Sequence, residues 1–192
     1  MASEKLSRYM VYLKNEKFFP KDAHFLLSEA RKALPESNVI IRDVRVSGNH
    51  LEYDISLGKV EDVEKMKAKL SNIGKFIELY NVVEKEFDKI DAIQLAKNFF
   101  NSEKYWNAHE VLEGVWKKTE GEEKKLLNGL ILVAAAFVHY QKDETNVCFG
   151  IMRRALEKMR NTKGTYFEIE IDSVRKETTD ILKSGIVHIF RI

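Results

Sequence analysis

Apolar residues change their spacing several times within the first 87 residues. At some places they recur at every second position, the period of a β-strand, and at others at every third or fourth position, the period of an amphipathic helix. The predicted strands cover 9–13, 40–46, 51–57 and 76–83, and the predicted helices cover 23–34 and 63–73. The order β-α-β-β-α-β predicts a ferredoxin-like domain. In the third strand Glu52, Asp54 and Ser56 alternate with apolar residues, so one of its faces is expected to be wetter.

From residue 88 onward the apolar spacing is helical almost throughout. Helices are predicted near 89–101, 103–118, 121–141, 144–160 and 172–184. Asp88, Asp143 and Asp172 are expected to be N-caps, because an Asp side chain accepts hydrogen bonds from the unpaired N–H groups of a first turn. The end of the chain, 186–192, is expected to form a short strand or an extended tail. The chain is therefore expected to be α+β, with a ferredoxin-like domain over 1–87 and an all-α helical bundle over 88–192.

Composition narrows the class of protein. The chain has 192 residues, of which 44% are hydrophobic and 32% are charged, and this is enough apolar material for packed cores. Its 32 basic and 30 acidic side chains leave a net charge of only +2, which argues against a nucleic-acid partner. The longest uncharged apolar run, 129–138, is ten residues long, whereas a membrane-spanning helix needs about 20. With no export signal in the first residues, we expect a cytoplasmic protein without a membrane segment.

The predicted helix at 103–118 carries polar residues on its apolar stripe. A rotation of about 100° per residue places four side chains within one stripe. They are Tyr105, His109, Leu112 and Trp116. Glu113 lies at the edge of this stripe, and Glu110 points further outward. Because burying a polar pair costs free energy unless each member is hydrogen-bonded or coordinated, His109 and Glu113 are expected to have partners.

The next predicted helix offers such a partner. Between 126 and 140 only Asn128 and His139 interrupt the apolar residues, and their separation of about three turns places them on one face. Short connections favour antiparallel packing, so His139 is expected near His109. Two imidazoles and a carboxylate suit zinc or another divalent metal, and the single Cys148 excludes a multi-Cys zinc site. Two alternatives stay open: a hydrogen-bonded pair that fixes the helix register or a dimer, and metal-free acid/base chemistry.

The first predicted strand suggests a different kind of function for the N-terminal half. The segment 11–15 loosely resembles the first-strand motif of RNA-recognition domains, in which an exposed aromatic ring stacks on a base. Tyr12 lies on the opposite strand face from Val11 and Leu13, so its ring is expected either to be exposed or to pack against the helical half. The strand at 50–57 lacks the basic and aromatic pattern of such domains, which argues against RNA binding.

The helical half resembles a known family at its His/Glu motif. His109-xxx-Glu113-xx-Trp116, followed by Gly129 and His139, is similar to the family called domain of unknown function 309, over about residues 92–160. The resemblance implies an all-helical fold and a metal-dependent hydrolase, and it extends to Asn146. The chain departs from the family at Leu132, where the family usually has Gln, and at Thr145-Asn146, where extra residues precede the motif.

These observations lead to two expected functions. The first is a metal-dependent hydrolase of a small-molecule substrate. Its metal ligands are expected to be His109, Glu113 and His139, its catalytic carboxylates Glu113 and Glu110, its substrate-binding residues Trp116, Asn146 and Asn128, and its cofactor zinc or manganese. The alternative is a non-catalytic homodimeric interaction or regulatory module in which the His/Glu cluster is structural. The charged run at 120–125 is interpreted as a solvated helix face.

Overall fold

A computed structural model describes residues 6–35, 38–58, 61–83 and 86–192. It divides into two compact units, Met1–Lys85 with Gln141–Asp143, and Glu86–Tyr140 with Glu144–Ile192. The first contains a sheet with helices and the second a helical bundle, so the expected α+β class is confirmed.

The first unit is a four-stranded antiparallel sheet with two helices. Its strands are β1 (Ser7–Lys14), β2 (Val39–Val46), β3 (His50–Leu57) and β4 (Phe76–Asn81), and its helices are α1 (Ala23–Ala33) and α2 (Glu61–Leu70). A 3₁₀ turn at Pro20–Asp22 precedes α1, where Pro is tolerated because the first turn has no use for its missing N–H. The strand order β2-β3-β1-β4 and the βαββαβ succession are those of a ferredoxin-like arrangement.

One face of this sheet forms an apolar core with the helices. Val11 and Leu13 of β1 share this core with Leu26 of α1 and Met66 of α2. The period-two pattern predicted this face, because successive strand residues point to opposite sides. The prediction of a wetter second face is wrong for β3, since all eight of its residues are buried.

The second face of the sheet carries a buried charged network. Arg45 of β2 and Tyr12 of β1 are the two cross-strand neighbours of Glu52 on β3. Arg45 forms an ion pair with Glu52, and both side chains are at most 3% exposed. Tyr12 is only 1% exposed, so an exposed ring that stacks on a base is ruled out. Burial, followed by the nearby Glu52 carboxylate, raises the pKa of the Tyr12 hydroxyl.

The second unit is a bundle of helices with one short hairpin. Its elements are α3 (Lys89–Asn101), α4 (Tyr105–Trp116), α5 (Gly121–Tyr140), α6 (Thr145–Lys158), β5 (Thr165–Tyr166), β6 (Ile169–Glu170) and α7 (Ile171–Ser184). The sequence did not predict the hairpin. Its two turn residues, Phe167 and Glu168, have φ of 44° and 61°, a conformation for which the usual signal is Asn-Gly or Asp-Gly.

One of the three predicted helix N-caps is confirmed by the structure. Asp88 caps α3, because its carboxylate accepts hydrogen bonds from the backbone N–H groups of Ile90 and Asp91. The predictions for Asp143 and Asp172 are wrong. Asp143 has a φ of 67° and precedes the N-cap residue Glu144, and Asp172 lies inside the first turn of α7. The tail at 186–192 forms neither a strand nor a helix.

Helix α5 is the centre of the bundle core. It packs against α4 on one side and α6 on the other. At Gly129 the helices approach so closely that an added Cβ would lie 2.3 Å from Met159 Cγ. Within the described residues, no helix combines the length and the hydropathy that crossing a membrane requires.

Candidate metal centre

Helix α4 presents the His/Glu motif at the border between the bundle core and its surface. Four residues on one face of α4 are at most 6% exposed: Tyr105, Ala108, Leu112 and Val115. The side chains of His109 and Glu113 are 24% and 39% exposed. The buried face of α4 is therefore rotated slightly from the predicted apolar stripe. Ala108 and Val115 face the core, whereas His109 lies at its edge. The imidazole lies at the edge of the core with one side accessible.

Three potential ligands meet within two turns of α4. His109, Glu110 and Glu113 each offer one ligand atom, and these atoms lie within 4.8 Å of one another. His109 Nδ1 lies 3.4 Å from Glu110 Oε1, and His109 Nε2 lies 3.8 Å from Glu113 Oε1. The i, i+4 spacing of an α-helix brings His109 and Glu113 together without help from any other element.

The donor set fits a divalent cation. His109 Nδ1 is buried and makes no hydrogen bond to any described residue, which is an unusual state for a buried ring nitrogen. One imidazole and two carboxylates suit zinc or manganese. Because zinc ligands lie about 2.0–2.2 Å from the ion, the three donors would have to move closer together to bind one. All three come from one helix, and an ion that they held would keep further coordination positions for water or substrate.

His139 is not part of this group in the described part of the chain. Its Nδ1 pairs instead with the carboxylate of Glu144. The turn between α5 and α6 brings Glu144 back to the end of α5, where its backbone N–H donates to His139 O at 2.9 Å. The shared-face argument predicted where His139 lies on α5 but not the path of this turn.

The three expected substrate-binding residues differ in their surroundings. The ring of Trp116 is half-buried against the core, and Lys124 Nζ lies 4.6 Å from its centroid. Asn128 is half-buried one turn further along α5 and makes no hydrogen bond to any described residue. Asn146 is exposed in the first turn of α6, likewise without a described hydrogen-bond partner.

Sequence reasoning missed two members of this region. Glu110 was expected to point outward as a base, and its side chain is 45% exposed, yet its carboxylate belongs to the ligand group. Lys124 was assigned to a solvated run, but its ammonium lies over Trp116. The position of Glu110 directly after His109 was the sequence signal that could have identified it as a potential ligand. No sequence pattern indicated the role of Lys124, because its contact with Trp116 depends on how α4 and α5 pack.

The buried thiol of the bundle is not a candidate nucleophile. Cys148 is a free cysteine, fully buried in α6. Burial raises its pKa to about 12, so the thiol stays protonated at neutral pH. Only a thiolate attacks or binds a metal well, and Cys148 therefore acts as a small apolar core residue.

The fold and the cluster define an α+β protein whose helical unit carries a candidate metal-binding group on one helix. Residues 93–149 match the family model described as "Domain of unknown function (DUF309)". The matched segment includes all of α4 and α5. This confirms the resemblance seen at His109, Glu113 and Trp116, although the match ends at 149 rather than 160.

Two relatives share this region. An uncharacterized protein from Aquifex aeolicus (strain VF5) is 27% identical over 93 residues, which are 48% of this chain and 28% of that protein. The match thus spans little more than a quarter of that relative's length. The crystal structure of a conserved hypothetical protein, TTHA0068, from Thermus thermophilus shows 27% identity and covers 47% of this chain and 94% of that one, with a TM-score of 0.42. Neither description states an activity.

Proposed function

We propose that this protein is a divalent-metal-dependent hydrolase whose ion binds to His109, Glu110 and Glu113 and is zinc or manganese. One observation supports the proposal above the others: three donors of the right chemistry lie within 4.8 Å of one another, and one of them has a buried ring nitrogen without a hydrogen bond. Glu110 takes the ligand position that the sequence had given to His139.

The side chains of α4 have separate roles in this proposal. A bound divalent ion lowers the pKa of a coordinated water, which makes a nucleophile available near neutral pH. His109 holds the ion through one ring nitrogen, with the two carboxylates beside it. Glu110 and Glu113 differ little in exposure, and a carboxylate oxygen that does not bind the ion would accept a proton from the attacking water. In this proposal Trp116, three residues after Glu113 on α4, and Asn128 on α5 contact a small-molecule substrate.

Metal analysis of the full chain tests this function. Protein purified without chelator is expected to contain about one equivalent of zinc or manganese, and His109→Ala and Glu113→Gln are expected to lose it. His188→Ala is the matched control, because His188 also pairs with a glutamate, Glu177, at 2.9 Å but lies in the C-terminal tail. Hydrolysis of p-nitrophenyl esters should follow metal content. Wild-type protein that binds no stoichiometric metal and is not activated by zinc or manganese would overturn the proposal.

A homodimeric interaction module is the second candidate. Apolar side chains of the bundle are exposed around Lys89: Phe87 and Phe167 at 38% and Ile90 at 61%. Lys89 Nζ lies 5.9 Å from the centre of the Phe167 ring, so this region forms one patch. Static light scattering decides between the candidates, because the module requires a concentration-dependent dimer that Ile90→Lys dissociates. A monomer at all concentrations contradicts it.

The site of action is proposed to be the cytoplasm. The free, buried thiol of Cys148 agrees with a reducing compartment. The net charge of +2 gives no reason to add a nucleic-acid partner.

A further inference from the structure

Lys124 is a half-buried cation that forms no ion pair with any described residue. Its ammonium lies 4.6 Å from the centre of the Trp116 ring. The next residue behaves differently, since Lys125 Nζ contacts Glu122 Oε1 at 2.6 Å and its side chain is 62% exposed. A cation held over an aromatic ring keeps most of its charge available to an anion.

The contact with Trp116 fixes Lys124 on the side of α5 that borders the candidate metal centre. On α4, Trp116 follows Glu113 by three residues and His109 by seven, so the three share one face. The short connection at 117–120 makes α4 and α5 antiparallel neighbours. Lys124 lies beside Trp116, so Asn128, one turn further along α5, is expected at the level of Glu113 on α4.

Asn128 adds a side-chain amide next to the ammonium group of Lys124. It lies four residues after Lys124, which is the spacing of neighbours on one helix face. Its side chain is half-buried and has no hydrogen-bond partner among the described residues. One ammonium and one amide N–H₂ group are therefore expected on the face of α5 nearest to the cluster.

We propose that Lys124 and Asn128 form a subsite for the phosphate group of a substrate, next to the ion that His109, Glu110 and Glu113 hold; this inference rests on the proposed function. Without an ion, the carboxylates of Glu110 and Glu113 repel an anion. With the ion bound, the ion, the ammonium and the amide are three positive or donating groups. A tetrahedral phosphate presents enough oxygens for all three, whereas a carboxylate presents two. Phosphate binding therefore depends on the metal, and the dependence is reciprocal.

Titration of the full-length protein with Mn²⁺, followed by inorganic phosphate, tests the subsite. Electron paramagnetic resonance of free Mn²⁺ gives metal affinity, and calorimetry of the Mn²⁺-loaded protein gives phosphate affinity. Lys124→Met is expected to weaken phosphate binding at least tenfold and to leave Mn²⁺ affinity within about twofold. Lys125→Met is the matched control and should change neither. Asn128→Asp is the second variant, which should abolish phosphate binding and retain Mn²⁺.

Each outcome separates the two proposals. Wild-type protein that binds neither Mn²⁺ nor zinc overturns both the function and the subsite. Mn²⁺ binding together with a phosphate affinity that Lys124→Met does not change overturns the subsite alone. The same holds if phosphate binds equally well without Mn²⁺, or if acetate binds the loaded protein more tightly than phosphate does. Circular dichroism of each variant confirms that the bundle is folded.

Discussion

Two clusters of charged side chains in this protein differ in their surroundings. The cluster on the sheet contains Arg45 and Glu52, which pair on adjacent strands and are at most 3% exposed. The cluster on α4 contains His109 and Glu113, whose side chains are 24% and 39% exposed and whose closest N···O distance is 3.8 Å. The first cluster is neutralised internally. The second keeps donor atoms and an open side.

The difference shows how pairing and access separate structural from chemical roles. A buried charge must be compensated, and the ion pair between Arg45 and Glu52 does this in the sheet network. A half-exposed cluster is compensated by water at little cost, and it can exchange that water for an ion. The sheet cluster should therefore contribute to stability, and the α4 cluster to binding.

The largest expected effect comes from breaking the sheet pair. Arg45→Leu leaves the Glu52 carboxylate buried without its cation, and we expect it to lower the free energy of unfolding by about 3–5 kcal/mol. Urea unfolding followed by circular dichroism measures the change. The double variant Arg45→Leu/Glu52→Leu is the control and should recover most of the loss. A single-variant loss below about 1 kcal/mol would show that the pair is not structural.

At the α4 cluster, metal binding should change the free energy of unfolding more than mutation does in the absence of metal. At about one hundred times its dissociation constant, Mn²⁺ is expected to raise the free energy of unfolding by about 2.7 kcal/mol. His109→Ala should remove this gain and, without metal, change stability by less than about 1 kcal/mol, because the pair is half-exposed. His188→Ala should keep the gain. A metal-free loss of several kcal/mol in His109→Ala would place this cluster in the same category as the sheet pair.

The pH dependence of stability should show the effect of burial on Cys148, a titratable group whose pKa is shifted by burial alone. Burial raises its pKa to about 12 from an ordinary 9.0, so the unfolded chain releases the proton first as the pH rises. Its contribution is fully present below pH 9 and is lost between pH 9 and 12, by about 1.4 kcal/mol per pH unit. Comparison of wild type with Cys148→Ala in alkaline urea unfolding measures the slope. Equal slopes for the two proteins would contradict the assignment.

The smallest effect is expected at Glu123, a half-exposed counterpart of the sheet pair. Lys89 and then the Tyr166 hydroxyl, which donates to Glu123 Oε1 at 2.7 Å, lower the pKa of this carboxyl. Its stabilisation is present above the ordinary pKa of 4.5 and is lost as the pH falls through the lowered value. Tyr166→Phe should cost less than about 1 kcal/mol at pH 7, and the difference from wild type should shrink below pH 4.5. A difference that does not change with pH would refute this.

Much of the architecture was predictable because it follows from local periodicity. The period-two runs of β1 to β4 and the capping carboxylate of Asp88 are local signals, and both agree with the structure. The proximity of His109 and Glu113 was predictable for the same reason, since helix geometry alone sets it. The hairpin turn at Phe167 and Glu168 has no such signal, because its left-handed residues are not glycine or asparagine.

Other features depend on which elements become neighbours. The alternation along β3 predicts one wet face, whereas strand register places Glu52 between Arg45 and Tyr12, and all three residues are buried. His139 was expected to join His109, but the turn after α5 pairs it with Glu144. The charged run around Lys124 predicts a solvated side chain, but the packing of α4 on α5 places its ammonium over an indole ring. Each of these contacts joins residues whose separation in sequence carries no periodic signal.

The amino-acid sequence by itself determined the βαββαβ succession, the following helices and the His109–Glu113 pair, because backbone geometry imposes those periods over a few residues. Only the tertiary structure decided which charges are paired, which remain accessible and which second helix borders the cluster. Those outcomes are set by strand register, helix packing and the paths of turns, and they depend on free-energy differences between whole arrangements of the chain.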